Sequence, residues 1–205
     1  MARMSVSTPR FALLIIVVLA AITYSFARAN RDGRDGSSRR APAAQQATRA
    51  PVPRKFPHDV KVERLLTAAV PEIQIGVVTI VASVRRPGKR TKLAVSSRDP
   101  DVDPIRVCVG DNGSRIQKVV EALHGERVDL VPFDGDDVRF VCNAIAPAGV
   151  EKVIVDDDAH AMELFVPDDK VAAAPGKDGA NIDLAQRLTL WKLTVRPVSS
   201  YRPVH

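Results

Sequence analysis

The sequence predicts a mixed α/β (α+β) protein in which one unit, a three-stranded sheet with helices on one face, is written twice. Three observations carry this. Helical and strand-like periodicities follow one another in the same order in both halves of residues 59–197. Each half holds a Gly-x-x-Gly turn set between two helical stretches and followed by a strand: Gly110-Asp111-Asn112-Gly113 and Gly176-Lys177-Asp178-Gly179. Finally, 45% of the 205 residues are hydrophobic, enough for a substantial core, while the 4% aromatic content argues against an aromatic stacking platform.

In the first unit, 59–133, apolar residues at Val62, Leu65, Leu66 and Ala69 have helical spacing that stops at Pro71. Two β-like runs follow, 77–84 and 91–97, joined by "RRPGKR", whose Pro-Gly marks a hairpin turn. Asp103 and Pro104 are an N-cap and a first helical residue. That short helix carries Ile105, Cys108 and Val109 on its apolar face and ends at Gly110. From Ser114 a second helix places Ile116, Val119, Val120 and Leu123 on one side until Gly125 stops it. "RVDLVPF" then reads as a strand.

The second unit, 134–197, repeats the order. A helix is predicted over 136–148 and strands over 150–156 and 161–167. "DDKVAAAP" is expected to be helical, the Gly176–Gly179 turn and another helix follow, and 191–195 closes the unit as a strand. One Gly-x-x-Gly is weak, because a C-capping glycine explains it. Two such turns, each between helices and each followed by a strand, point to tandem KH domains. In that setting glycine lets a sugar–phosphate backbone approach where a Cβ would block it. The helix start behind it offers backbone N–H groups and a positive dipole end. Such a loop clamps roughly four nucleotides of single strand, here beside grooves lined by Val107, Val109 and Ile116, and by Ile182.

Charge does not by itself support nucleic-acid binding. The formal charge is +6, but residues 1–59 hold 10 Lys/Arg against 3 acids, leaving 20 against 21 for the rest. The basicity belongs to the N-terminal segment. Residues 1–10 are a basic n-region, 11–27 ("FALLIIVVLAAITYSFA") are 17 residues without a charge, and 28–58 form an Arg/Pro/Ala-rich stretch expected to be a disordered linker. The apolar segment would span roughly 25 Å as a helix. The arginines after it favour an uncleaved membrane anchor with its C-terminal side in the cytoplasm, at the bacterial inner membrane. A secretory signal cleaved near "ARA", or a start codon placed too early in a cytoplasmic protein, are the alternatives. Residues 198–205 are expected to be a tail.

The text from 54 to 196 resembles the KH region of the NusA family of transcription termination/antitermination factors. The resemblance rests on "VPEI", "RRPGKRTKLAV", "DPDVDP" and "CVGDNGSRIQKVVEALHGERVDLVPF" in the first unit. In the second it rests on "NAIAPAGVEKVIVDDDAHAMELFVPDDK" and "GKDGANIDLAQRLTLWKLTV". It implies two type II KH domains, single-stranded RNA as the ligand, and service during transcription elongation. The family's polymerase-binding and OB-fold domains are not found before these units, so RNA polymerase stays open as a partner. Carried over onto this chain, the RNA-contacting positions are Gly110, Asp111, Asn112, Gly113, Ser114, Arg115 and Lys118 in the first unit. In the second they are Gly176, Lys177, Asp178, Gly179, Asn181 and Arg187, with Lys89, Arg90 and Lys92 from the hairpin. Asp111 and Asn112 stand where the family usually has an arginine. Pro175 and Asp183 also depart from its pattern, which implies RNA binding weaker than is usual for the family. A carboxylate about 4 Å from a phosphate is repelled by roughly 1 kcal/mol in water and about 4 kcal/mol at a partly buried surface.

An enzyme is the least favoured class. "DPDVDP" and "VDDDAH" cluster acids without a paired base or metal-ligand spacing, and "APGKDGAN" lacks the spacing and the Ser/Thr of a P-loop. Cys108 and Cys142 lie in apolar runs and read as buried thiols rather than as a disulfide or metal site. No cofactor or metal is called for, and the chain is expected to act as a monomer. The other reading kept open is a degenerate KH tandem that binds a protein partner.

Overall fold

The computed structural model describes residues 55–202; the apolar segment at 11–27, the basic residues before it and the linker through residue 54 lie outside the described residues. Among the described residues no helix is long and apolar enough to cross a membrane. The first repeat consists of α1 (Val60–Ala69), α2 (Pro71–Gln74), β1 (Val78–Arg86), β2 (Arg90–Ser97), α3 (Pro104–Val109), α4 (Ser114–Ala122) and β3 (Arg127–Pro132). The second consists of α5 (Asp137–Ala144), β4 (Lys152–Asp156), β5 (Ala161–Val166), α6 (Ala180–Thr189) and β6 (Lys192–Pro197).

Local chemistry sets these boundaries. Aspartates cap three helices: Asp59 accepts from Val62 N–H, Asp103 from Ile105 and Arg106 N–H, and Asp136 from Arg139 N–H. Pro71 stops α1, as expected, but its fixed φ also opens α2, a turn of helix absent from the sequence reading. The helix expected over "DDKVAAAP" does not form. Residues 168–170 make a 3₁₀ turn and hydrogen-bonded turns follow, because only seven residues separate Pro167 from Pro175 and a residue before proline is disfavoured in the α region. α5 ends at Ala144, short of the predicted 148, three residues before Pro147.

Each repeat holds one three-stranded sheet with its middle strand paired antiparallel on one side and parallel on the other: β1-β2-β3 and β4-β5-β6. The parallel pair needs a crossover, and α3 with α4 supplies it in the first repeat. A bulge between Ile80 and Ala82 changes which face β1 presents. Val78, Leu93 and Val95 then pack with Val62 and Leu66 of α1, Cys108 of α3 and Val119 of α4. Ala82, Val84, Ala94 and Val131 face the other way and join Leu184, Ala185 and Leu188 of α6 and Phe140 and Val141 of α5. The first sheet is therefore covered on both faces, which explains the unbroken burial of residues 91–95.

The second sheet differs. Met162, Leu164 and Leu193 turn toward α6, while the opposite face carries Lys152, Glu163 and Arg196. Register aligns Ala82, Ala94 and Val131 of the first sheet with Lys152, Phe165 and Arg196 of the second. Phe165 is covered by Tyr201, ring to ring at 5.2 Å, Lys152 lies 4.3 Å over the Tyr201 ring, and Arg196 pairs with Glu163 at 2.9 Å.

Both ends of the described chain are docked rather than loose. Phe56, assigned to the linker by sequence, meets Phe133 and Phe140 edge-on at 5.9 and 6.1 Å, and Pro57 C=O accepts from Ser83 N–H. Residues 198–200, assigned to the tail, form a 3₁₀ turn that leads Tyr201 onto Phe165. Cys108 is buried and Cys142 half-buried, both as free thiols.

Candidate nucleic-acid interface

The two Gly-x-x-Gly loops have the same backbone. Gly110 and Gly176 lie at φ/ψ of 72/173° and 75/177°, Asn112 and Asp178 at 52/25° and 55/28°, and Gly113 and Gly179 at 80/11° and 67/11°. The third loop position is thus left-handed, where Asn and Asp are the best-tolerated residues after glycine. Asn112 and Asp178 have a backbone reason to be there, independent of their effect on a phosphate.

The first glycine of each loop is also fixed by packing. A Cβ at Gly110 would lie 2.6 Å from Arg115 Cγ, and one at Gly176 would lie 2.8 Å from Asn181 Cβ. Arg115 and Asn181 hold equivalent places, two residues after the second glycine. Both are positioning residues. Arg115 donates to Glu72 at 2.7 Å and to Val107 C=O at 2.9 Å, tying α2 to the first loop. Its guanidinium holds the Glu72 carboxyl below the usual carboxylate range. Asn181, expected at an RNA contact, is instead buried, and its Nδ2 donates to Ile145 and Ala174 C=O at 3.0 Å each.

The expected N–H groups at the start of α6 are used internally. Asn181 and Ile182 N–H donate to Pro175 C=O, and Ala180 N–H to Lys177 C=O. Attraction for an anion at the second loop therefore draws on side-chain cations as well. Here the structure joins residues that lie far apart in the sequence. The β1–β2 hairpin of the first repeat lies against the second loop: Lys89 Nζ is 3.1 Å from Asp178 Oδ2, and Arg86 donates to Asp178 C=O at 3.3 Å. Arg90 lies 3.6 Å from the Cβ position of Gly176, and Arg187 reaches Arg85 C=O at 3.5 Å. Lys177 is exposed and has no ion pair among the described residues. At the first loop, Asp111, Asn112, Ser114 and Lys118 are exposed, and among the described residues Asp111 has no ion pair. Val107, Val109, Ile116 and Ile182 are half-buried beside the loops.

Two carboxylates that the sequence reading passed over hold this hairpin. Buried Glu126 forms a bidentate pair with Arg85, accepts Gly88 N–H at 2.8 Å and accepts from Thr91 Oγ1. Burial opposes its ionisation, yet the bonds from Arg85, Thr91 and Gly88 outweigh that and hold its carboxyl below the ordinary range. Asp129 on β3 takes Arg90 at 2.5 Å, Lys92 at 3.2 Å and Arg127 at 3.2 Å. Opposite charges at Lys92 and Asp129, each interior to a β-like run, were the available sequence signal.

Lys92, expected to face RNA, is 1% exposed and sealed under the second repeat. Burial pulls its ammonium down to about 8, with Asp129 only partly opposing. A lysine with a lowered folded value weakens the fold while it must stay charged. Between about pH 8 and the ordinary lysine value the unfolded chain holds a proton that the folded chain has released, so stability rises with pH there. Lys92→Met leaves Asp129 paired to Arg90 and Arg127. It is expected to raise the unfolding free energy by about 1 kcal/mol or more and to abolish that alkaline rise, read by urea unfolding at pH 7 and 10.

Sequence comparison agrees with this geometry. The model of the NusA-like first KH domain matches residues 58–133, and that of the NusA-like second KH domain matches 138–203. Transcription termination/antitermination protein NusA of Bacillus subtilis (strain 168) is 41% identical over 145 residues, 71% of this chain and 39% of that protein. Those of Halalkalibacterium halodurans and Borreliella burgdorferi are 39% and 38% identical, over 69% and 70% of this chain and 37% and 30% of their own lengths. The chain thus spans well under half of each of these relatives. Among solved structures, the crystal structure of APE1850 overlays with a TM-score of 0.50 at 22% identity, covering 68% of this chain and 100% of that one, a likeness of fold alone. Two matched units in the same order, carrying both glycine-framed loops, make this chain a member of the NusA-like KH-domain family.

Proposed function

We propose that the tandem binds single-stranded RNA without catalysis, chiefly at the second loop, and serves transcription termination or antitermination. The observation that carries this reading is the composite cationic site at Gly176–Gly179, where Lys177 and Arg187 of one repeat stand beside Arg86, Lys89 and Arg90 of the other. The family supports RNA as ligand, and the NusA relatives, named for transcription termination and antitermination, support the transcriptional role. The exposed Asp111 and the engagement of Arg115 by Glu72 make the first loop the weaker clamp and favour, for that loop, contact with a protein instead. The uncharged stretch 11–27 supports tethering at the cytoplasmic side of a membrane, which intact-mass measurement on membrane and soluble fractions tests.

The binding test is fluorescence anisotropy with a mixed-sequence single-stranded RNA of about ten nucleotides, enough for two clamps of roughly four. Binding is expected to weaken with salt, log K falling by about 0.7 per phosphate neutralised for each unit of log salt. Gly179→Asp is expected to weaken it more than Gly113→Asp. Absence of binding at low salt, or equal binding by both variants and the parent, overturns the reading.

A further inference from the structure

The cross-repeat contact at Asp178 carries a consequence that rests on RNA binding at the second loop. Of the residues between Gly176 and Gly179, Lys177 is exposed and has no ion pair among the described residues, whereas Asp178 is engaged twice by the hairpin of the other repeat. Its carboxylate takes Lys89 and its carbonyl takes Arg86. A carboxylate oxygen on Lys89 Nζ stands in for what a phosphate oxygen would offer: an anionic acceptor at hydrogen-bond distance from an ammonium. Lys89 and Asp178 are 52% and 55% exposed, so the bridge is open to exchange. The left-handed third loop position tolerates Asp178 because Asp, with Asn, enters that region more readily than other side chains.

We propose that Asp178 is an internal competitor for the RNA phosphate: in the free protein it occupies Lys89, and binding exchanges its carboxylate for a phosphate oxygen. Asp178 thereby sets the affinity of the second clamp through a residue of the first repeat, and it also fastens the loop to the hairpin while no RNA is present. The Lys89 ammonium, followed by Lys177 and Arg86, holds the Asp178 carboxyl below the ordinary aspartate range, which agrees with a bridge formed in the free protein.

A double-mutant cycle decides it. Asp178→Asn keeps a residue suited to the left-handed backbone and removes the charge. It is expected to tighten the ten-nucleotide RNA by about two- to fivefold, the range of an exposed ion pair, with a melting temperature lowered by no more than a few degrees. In a Lys89→Gln background the same substitution is expected to give less than half that gain, because the cation it would release is gone. Equal gains in both backgrounds would make Asp178 a bystander that merely repels phosphate, and the proposal fails while RNA binding stands. No binding by parent or variant removes the RNA reading and the affinity-setting role together. The bridge itself is read without RNA by NMR titration of the Asp178 carboxyl. Its value is expected to rise toward the ordinary aspartate range in Lys89→Gln, and an ordinary value already in the parent protein overturns the bridge.

Discussion

Glu126→Ala is expected to lower the unfolding free energy by about 3–5 kcal/mol, the cost of stripping one partner from a buried ion pair. The loss follows from what is left behind. Arg85 keeps its charge at the edge of the core, and Gly88 N–H and Thr91 Oγ1 lose the acceptor that closed the hairpin tip. Urea unfolding at pH 7 measures the effect. The same carboxyl gives the fold an acid limit. It is ionised in the folded protein below the ordinary glutamate value of about 4.3. The stabilisation is therefore complete above the unfolded value and is lost as pH falls through the folded one, where the unfolded chain binds the extra proton. In Glu126→Ala this part of the acid dependence should vanish. Because the hairpin carries Arg86, Lys89 and Arg90, RNA affinity should fall as well, although Glu126 touches no ligand.

The second large effect separates the two glycines of one loop. Gly176→Ala places a Cβ 2.8 Å from Asn181 Cβ, and its φ/ψ of 75/177° belongs to a region that side chains enter at a cost of about 1–3 kcal/mol. Neither atom of the overlap is the end of a flexible chain, and Asn181 is anchored by two carbonyls. The loop must move, and RNA affinity is expected to drop by about tenfold or more together with the melting temperature. Gly179→Ala meets nothing within 4 Å and pays only for a left-handed alanine, about 1 kcal/mol. Anisotropy and thermal melts on the two variants check the contrast; equal losses would mean that the loop is not built around Gly176 as described.

The order of the strands, the Asp103–Pro104 helix start and both loops were legible because periodicity, caps and glycine pairs are local signals. The errors share a different cause. Lys92 looked like a hairpin cation because strand alternation assumes that one face of the sheet meets water, and here α6, some ninety residues later, covers that face. Asn181 sits at the ligand-facing start of a helix by spacing, yet its side chain is needed inside to join Ile145 and Ala174. Asp178 has a place in the loop by spacing, but its left-handed backbone and its bond to Lys89 of the other repeat carry no local signal. Phe56 read as part of a linker because one aromatic among prolines and basic residues has no period, and only Phe133 and Phe140, far along the chain, supply its site.

The unlike outer faces of the two sheets bear on assembly. α6 seats on Ala82, Ala94 and Val131 of the sheet before it, a head-to-tail contact between repeats that is not self-complementary. Interfaces of that kind propagate unless something ends them, as stacked repeats need terminal units with polar faces. Lys152 and Arg196, with Phe165 shut beneath Tyr201, replace that apolar seat on the second sheet. The same three positions that bind one repeat to the next are thus apolar and small on the first sheet, and charged or already covered on the second.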